Sequence, residues 1–190
     1  METAFFVRQQ HLLRTVVYAA NMVATNNALG ALVTLLQFHV AVSLIGIASG
    51  LVVLYGFFIG RAFGAWTALF LATTILTSVT GFFLPPFGFD PPRAIGILSL
   101  LLLAFAVIAY YTFRLAGAWR WVYVITAMIA LYLNVFVGVI QAFDKLSFLH
   151  TLAPTQSEPP FLIVQLLVLA AFVASGFLAV RRFHPAIARP

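Results

Sequence analysis

Apolar residues run along this chain in long uncharged blocks, broken by isolated charges rather than by an alternation of polar and apolar faces. The stretches Thr15 to Gly60, Ala62 to Phe89, Ala94 to Phe113, Trp121 to Phe143 and Pro159 to Val180 carry no Asp, Glu, Lys or Arg and contain 46, 28, 20, 23 and 22 residues. A helix crosses the hydrocarbon core with about 20 apolar residues, so each stretch holds one crossing. The pattern predicts an all-α integral membrane bundle of five transmembrane helices, with spans over about 31–60, 63–84, 94–113, 119–143 and 161–180.

The first thirty residues read differently. Arg8, Gln9, Gln10, His11, Arg14, Asn21, Asn26 and Asn27 stand among apolar residues, too many for a comfortable crossing. Phe5, Leu12, Val16, Ala19 and Val23 recur near helical spacing while Arg8, Arg14 and Asn21 point elsewhere. That predicts an N-terminal amphipathic helix lying at the interface, and not a signal peptide. Asn26, Asn27 and Gly30 punctuate the chain, which divides it into an N-terminal segment, 1–30, and a transmembrane domain, 31–190. The first span is longer than one bilayer thickness and has to tilt or project.

Pro85 and Pro86 end the second span, because proline cannot continue the helical hydrogen-bond ladder. The loop Pro85-Pro86-Phe87-Gly88-Phe89-Asp90-Pro91-Pro92 is stiff and aromatic, suited to the headgroup level. Arg114, Gly117 and Arg120 make a short turn between the third and fourth spans, with Trp119 and Trp121 as interface anchors. The longest polar segment, Asp144 to Pro160, precedes the fifth span, and Arg181, Arg182, His184 and Arg189 form a basic tail.

Composition sharpens this picture. Hydrophobic residues make up 64% of the 190 and charged ones 7%, too few to coat a soluble globule. There is no cysteine, which excludes thiol catalysis, disulfides and Cys-ligated metal clusters. The formal charge of +6 comes from cations beside apolar runs, which read as topology determinants rather than a nucleic-acid surface. Arg61, Arg114, Arg120, Arg181, Arg182 and Arg189 fall on one side. Arg8, Arg14, Arg93 and Lys145 fall on the other with all four acids. The six-cation side is expected in the cytoplasm of a bacterial inner membrane, with the C-terminus inside and the N-terminus periplasmic. No tandem or inverted repeat is visible, which argues against a transporter of duplicated halves.

Polar side chains inside a membrane mark function by default, and they gather on the predicted outer side. Gln37 and His39 lie on the first span, Thr77 and Thr80 on the second, Asn134 and Gln141 on the fourth and Gln165 on the fifth, with Asp90, Arg93, Asp144, His150 and Glu158 in loops. Asn134 and Gln141 are seven apart with Gly138 between them, hence on one face. His39, Ser43, Gly46 and Gly50 share a face of the first span, a stripe of small residues below a histidine against which a planar group would fit. Neutral imidazole ligates haem iron, copper or zinc, or bonds a quinone carbonyl. A bis-His haem needs two histidines, whereas a metal site built from His39, His150 and His11 needs all three to converge. The competing view leaves His39 at the interface and His11 and His150 in solvent. Thr73, Thr77 and Thr80 on one helix face are accounted for equally well by bonds to their own preceding carbonyls. The Gly46/Gly50, Gly56/Gly60 and Gly60/Gly64 pairs let helices approach closely, within the chain or between two copies.

No Gly-rich phosphate loop, HExxH or GxSxG motif is present, and no carboxylate lies within a span. The run Phe38-His39-Val40-Ala41-Val42-Ser43-Leu44-Ile45-Gly46, with Arg61-Ala62-Phe63-Gly64, Val79-Thr80-Gly81-Phe82 and Pro154-Thr155-Gln156-Ser157-Glu158-Pro159-Pro160-Phe161, resembles small bacterial polytopic inner-membrane proteins. That resemblance implies no activity. Over the first two spans only, a histidine early in a helix, small residues below it, an R-x-x-G turn and a Thr-Gly exit are similar to cytochrome-b561-like membrane proteins, which implies b-type haem. Those proteins pair histidines on different helices, so the partner of His39 would be His150 or His11.

The reading that follows is a non-enzymatic binding or accessory subunit with a periplasm-facing pocket of His39, Gln37, Asn134, Gln141 and His150 for a lipid-soluble ligand or partner. The alternatives are a redox protein using b-type haem or quinone, and a membrane lipid-modifying enzyme with a loop carboxylate. Expected partners are membrane lipid, other membrane subunits, or a second copy joined through the glycine-rich first helix; nucleic acid is not expected.

Overall fold

The computed structural model describes residues 2–85 and 91–184, with side chains described for Tyr18 and from Asn21 onward within those limits. Its elements are α1 (Glu2–Phe58), α2 (Gly64–Gly81), α3 (Pro91–Val107) continued by a π-helical turn (Ile108–Thr112), α4 (Trp119–Lys145), α5 (Ser147–Leu152) and α6 (Pro159–Arg182). No strand occurs among the described residues. Five segments are long and apolar enough to cross a membrane: Asn21–Phe58, Gly64–Gly81, Pro91–Thr112, Trp119–Lys145 and Pro159–Arg182. The chain is a multi-pass, all-α membrane protein, as its pattern predicts.

The expected punctuation at Asn26, Asn27 and Gly30 does not break the chain, because α1 runs unbroken through all three. Asn and Gly cost a helix interior only about 0.5–1 kcal/mol each. Opening the backbone in an apolar medium would expose several unpaired peptide groups, which is far worse. The chain divides into two compact units, Met1–Phe38 and His39–Pro190. In the first, Met22, Val23, Leu29, Val33 and Leu36 are exposed, and Thr25 and Thr34 bond back to the carbonyls of Asn21 and Gly30. Arg8, His11 and Arg14 have side chains outside the described residues.

In the second unit, α1 ends in a tight reverse turn. The Gly60 N–H bonds to the Phe57 carbonyl at 3.3 Å and the Arg61 N–H to the Gly56 carbonyl at 2.9 Å, with Gly60 at φ +69°. This pair of nested bonds needs a left-handed residue, which glycine supplies without strain. A Cβ on Gly56 would stand 2.7 Å from the Arg61 carbonyl oxygen, so both glycines belong to the turn. Pro86 to Asp90 lie outside the described residues, and so does any pairing of Asp90 with Arg93. Arg93 Nη2 donates to the Leu84 carbonyl at 3.1 Å, tying the start of α3 to the end of α2.

The π-helical turn tightens into a second reversal in which Arg114, Leu115 and Gly117 all have positive φ, at 47°, 60° and 53°. Left-handed backbone costs a non-glycine residue about 1–2 kcal/mol. Leu115 is buried in the core and Phe113 stacks on Trp119 at 3.8 Å between ring centroids, and these contacts offset the strain.

The bundle is arranged with small and polar residues inward and large apolar ones outward, as lipid solvation permits. Ser49, Thr67, Thr74, Thr77, Thr80, Ser99, Thr126, Asn134 and Gln165 are buried, whereas Leu166, Leu167 and Val173 are each more than 60% exposed. An aromatic core closes one end: Tyr123 meets Phe57 edge-on at 5.5 Å, Tyr110 at 5.1 Å and Phe183 at 6.1 Å. A Cβ on Gly60 would stand 3.3 Å from the Arg182 carbonyl oxygen. The α1–α2 turn, the α3–α4 turn and the end of α6 therefore meet at this end. A second cluster of Phe143, Ala153 and Phe161 forms where α4, α5 and α6 join.

Candidate functional site

The His39, Ser43, Gly46, Gly50 face of α1 is not an open stripe. A Cβ on Gly50 would lie 2.5 Å from Leu131 Cδ1 and 2.9 Å from Phe70 Cδ2, so α4 and α2 cover the lower part directly. Gly46 and Gly50 thus spend their close approach within the chain. The space expected for a planar group beside these two glycines is filled by the protein's own helices.

Above Gly50 the same face becomes a ladder of polar contacts. Ser43 Oγ donates to Asn134 Oδ1 on α4 at 2.9 Å. A Cβ on Gly46 would stand 3.1 Å from Asn134 Nδ2, 3.2 Å from Thr74 Oγ1 and 3.3 Å from Thr73 Oγ1. Three polar atoms from two helices therefore converge on this one glycine. At the top, His39 Nδ1 lies 2.9 Å from Thr80 Oγ1, and the ring edge, Cε1, is 3.5 Å from where Gly81 would carry a Cβ.

The bond network assigns the histidine tautomer. Thr80 Oγ1 is 2.8 Å from the Leu76 carbonyl and donates its single proton there. Its oxygen then accepts from His39 Nδ1–H, which leaves the lone pair on Nε2. A second group that fixes the ring and its tautomer in this way orients imidazole for a ligand.

The threonines of α2 divide by function. Thr73 and Thr80 bond back to the Leu69 and Leu76 carbonyls, which satisfies both hydroxyl protons; Thr80 alone also accepts from His39. Thr74 and Thr77 do not: their Oγ1 atoms are buried without a hydrogen-bond partner, as are Asn134 Nδ2 and Gln165 Oε1. Gln165 Nε2 reaches the Phe136 carbonyl at 3.2 Å. Buried polar atoms are nearly always paired, and a patch in which facing helices leave several open is a place prepared for another polar group.

The remaining sequence candidates for the pocket, Gln37, Gln141 and His150, are exposed. Gln141 is exposed although Asn134, seven residues before it, is buried; Gly138 between them meets Ile47. Gln37 is exposed in the N-terminal unit and His150 is exposed on α5. Among the described residues no three His, Cys, Asp or Glu side chains gather as a metal would require, and the His11 side chain lies outside them. One member that sequence reasoning passed over is Thr74. The interval of seven from Thr67 to Thr74, then three to Thr77 and three to Thr80, marks the inward stripe of α2. Thr73 was the more conspicuous residue in the sequence, but it is only half-buried.

The loop above α6 is held by Glu158. Its carboxylate accepts from the Thr155 N–H, Thr155 Oγ1 and the Ser157 N–H. Desolvation acts to raise its pKa, but these hydrogen bonds outweigh it and hold the carboxyl below the usual range. Comparison with protein-family models, curated proteins and solved structures gives no match.

Proposed function

We propose that this protein is a non-enzymatic binding or accessory subunit of a bacterial inner membrane, whose polar ladder between α1, α2 and α4 receives the oxygen-bearing end of a lipid-soluble molecule. One observation carries the reading: Asn134 Nδ2 is a buried donor with no acceptor, beside Thr74 Oγ1 in the same condition. An unmet buried polar group costs about 1–3 kcal/mol, and hydrocarbon offers nothing to meet it. A ligand carbonyl would accept from Asn134 and a hydroxyl threonine together. The concentration of arginines at the aromatic end supports placing that end in the cytoplasm and the ladder in the periplasmic half. On that orientation the N-terminus is periplasmic.

A redox role is the second reading, favoured by the lone pair on His39 Nε2. Quinone suits the ladder better than b-type haem, since a quinone carbonyl needs a donor, which Asn134 Nδ2 supplies, and no second axial histidine; the His39 Nε2 lone pair would accept from the hydroxyl of the reduced quinol. The test is mass spectrometry of a solvent extract of the detergent-purified protein, with ultraviolet–visible spectra before and after dithionite. A stoichiometric carbonyl- or hydroxyl-bearing lipid that falls at least about tenfold in Asn134→Leu supports the reading. Wild-type and variant extracts that match overturn it. A Soret band abolished by His39→Ala would replace it with haem.

A further inference from the structure

We propose that a cleft on the outer face of α4 and α6 is a binding site for an anionic phospholipid, with one acyl chain in the cleft and the phosphate at the arginines that end it. This does not depend on the polar ladder. The cleft is a cavity of about 230 Å³, lined by Met128, Tyr132, Phe172, Val173, Gly176 and Phe177 among others. Drug-sized sites begin near about 300 Å³ and carry a few convergent polar groups. This one is smaller and its walls are aliphatic and aromatic, which fits a hydrocarbon chain rather than a ligand bearing polar groups along its length.

Gly176 makes the depth. Only Met128 Cε lies within reach of a Cβ placed there, at 4.0 Å. The cleft is therefore a gap that any larger residue would fill, rather than a point where backbones touch.

Its two walls run antiparallel, and both finish in cations at the same end. Arg120 stands one turn before Val124 on α4, and Arg181 and Arg182 directly follow Val180 on α6; Val124 and Val180 both line the cleft. Arg181 lies over the ring of Phe177, 4.2 Å from its centroid, so its guanidinium stands against a residue that lines the cleft. Arg120 lies over Trp121 at 4.6 Å, and its Nε is buried with no partner. All four acids of the chain are Glu2, Asp90, Asp144 and Glu158, none in the turns that meet here. Guanidinium groups with no Asp or Glu beside them among the described residues, at the level where an aliphatic cleft opens, are complementary to a phosphodiester. Cationic side chains at an anionic leaflet each strengthen binding.

The experiment uses native mass spectrometry of the full-length protein, delipidated in detergent and titrated with phosphatidylglycerol or phosphatidylcholine of identical acyl chains. Phosphatidylglycerol is expected to be retained at least about tenfold more strongly. Arg120→Gln with Arg181→Gln removes that preference while leaving some binding of both lipids. Gly176→Leu, with thermal unfolding checked against wild type, lowers both lipids together. If Gly176→Leu fails to fold, Val173→Trp blocks the same cleft from its rim. Equal retention of the two lipids, or a preference that survives the arginine substitutions, overturns the proposal. So does a dimer that Gly176→Leu converts to monomer without any change in lipid retained, since a second copy would then be the occupant.

Discussion

The two ends of the helical bundle solve the same problem in opposite ways. At the arginine-bearing end, Tyr123 is wedged among Phe57, Tyr110 and Phe183, and its hydroxyl meets Thr67 Oγ1 at 3.2 Å, so its polar atom is paired and its ring fully enclosed. At the other end, Thr74, Thr77 and Asn134 are buried, and Thr74 Oγ1, Thr77 Oγ1 and Asn134 Nδ2 have no hydrogen-bond partner. At the first end only Arg120 Nε is left unpaired among the described buried side-chain atoms. The other leaves several buried polar atoms without a partner among the described residues, and this contrast is what supports the ladder as the binding site proposed above.

If that contrast is sound, substitutions of similar size should have very different consequences at the two ends. Tyr123→Ala removes the centre of the aromatic core and strips Thr67 of its partner. Truncating a large buried aromatic costs about 3–5 kcal/mol, so this variant should show the largest fall in thermal unfolding temperature in detergent. A small effect would mean that the aromatic end is loosely packed and the comparison mistaken.

A sharper version uses two threonines on one helix face, seven residues apart. Thr67→Val deletes the partner of a buried Tyr123 hydroxyl and should destabilise the protein by about 1 kcal/mol or more. Thr74→Val deletes a hydroxyl that has no partner, so the ligand-free protein should be unchanged or more stable by up to about 1 kcal/mol. Unfolding both variants in one detergent reads the difference directly. Equal destabilisation would show that Thr74 is satisfied after all.

The spans were legible in the sequence because hydrocarbon imposes a length and a composition that few other environments tolerate. The α1–α2 turn was visible as Gly60 beside Arg61, and the close-packing role of Gly46 and Gly50 as paired small residues. Other features depend on information that periodicity does not carry. Asn26, Asn27 and Gly30 look like breakers by propensity, yet the backbone hydrogen bonds of α1 outweigh them. Asn134 and Gln141 share a face in projection, but α4 buries only the first, because the neighbouring helices cover different lengths of it. His39 was evident as a candidate; that Thr80 fixes its ring follows from the crossing of α1 and α2, which no single helix reveals. Thr74 was hidden beside Thr73, a one-residue difference in helical phase that only the packed bundle resolves.

The smallest expected effect concerns pH, and it falls on one end alone because no Asp or Glu among the described residues lies at the other. Glu158 holds the start of α6 through bonds from Thr155 and Ser157 that require its ionised form. These bonds hold its carboxyl below the usual carboxylate range. A carboxyl lowered in the folded state contributes stability that is complete above its unfolded value and lost as pH falls through its folded value. The 153–158 loop should therefore keep its order from neutrality down to the ordinary carboxylate range and loosen below it. Protease cleavage or amide exchange in that loop should rise on acidification while the turn at Gly60 is unaffected. Glu158→Gln, which keeps the shape and removes the charge, should flatten the response and leave the loop at neutral pH resembling the acidified wild type. A Gly60 turn that loosens in parallel would indicate global unfolding, and the separation of the two ends would then fail on this measure.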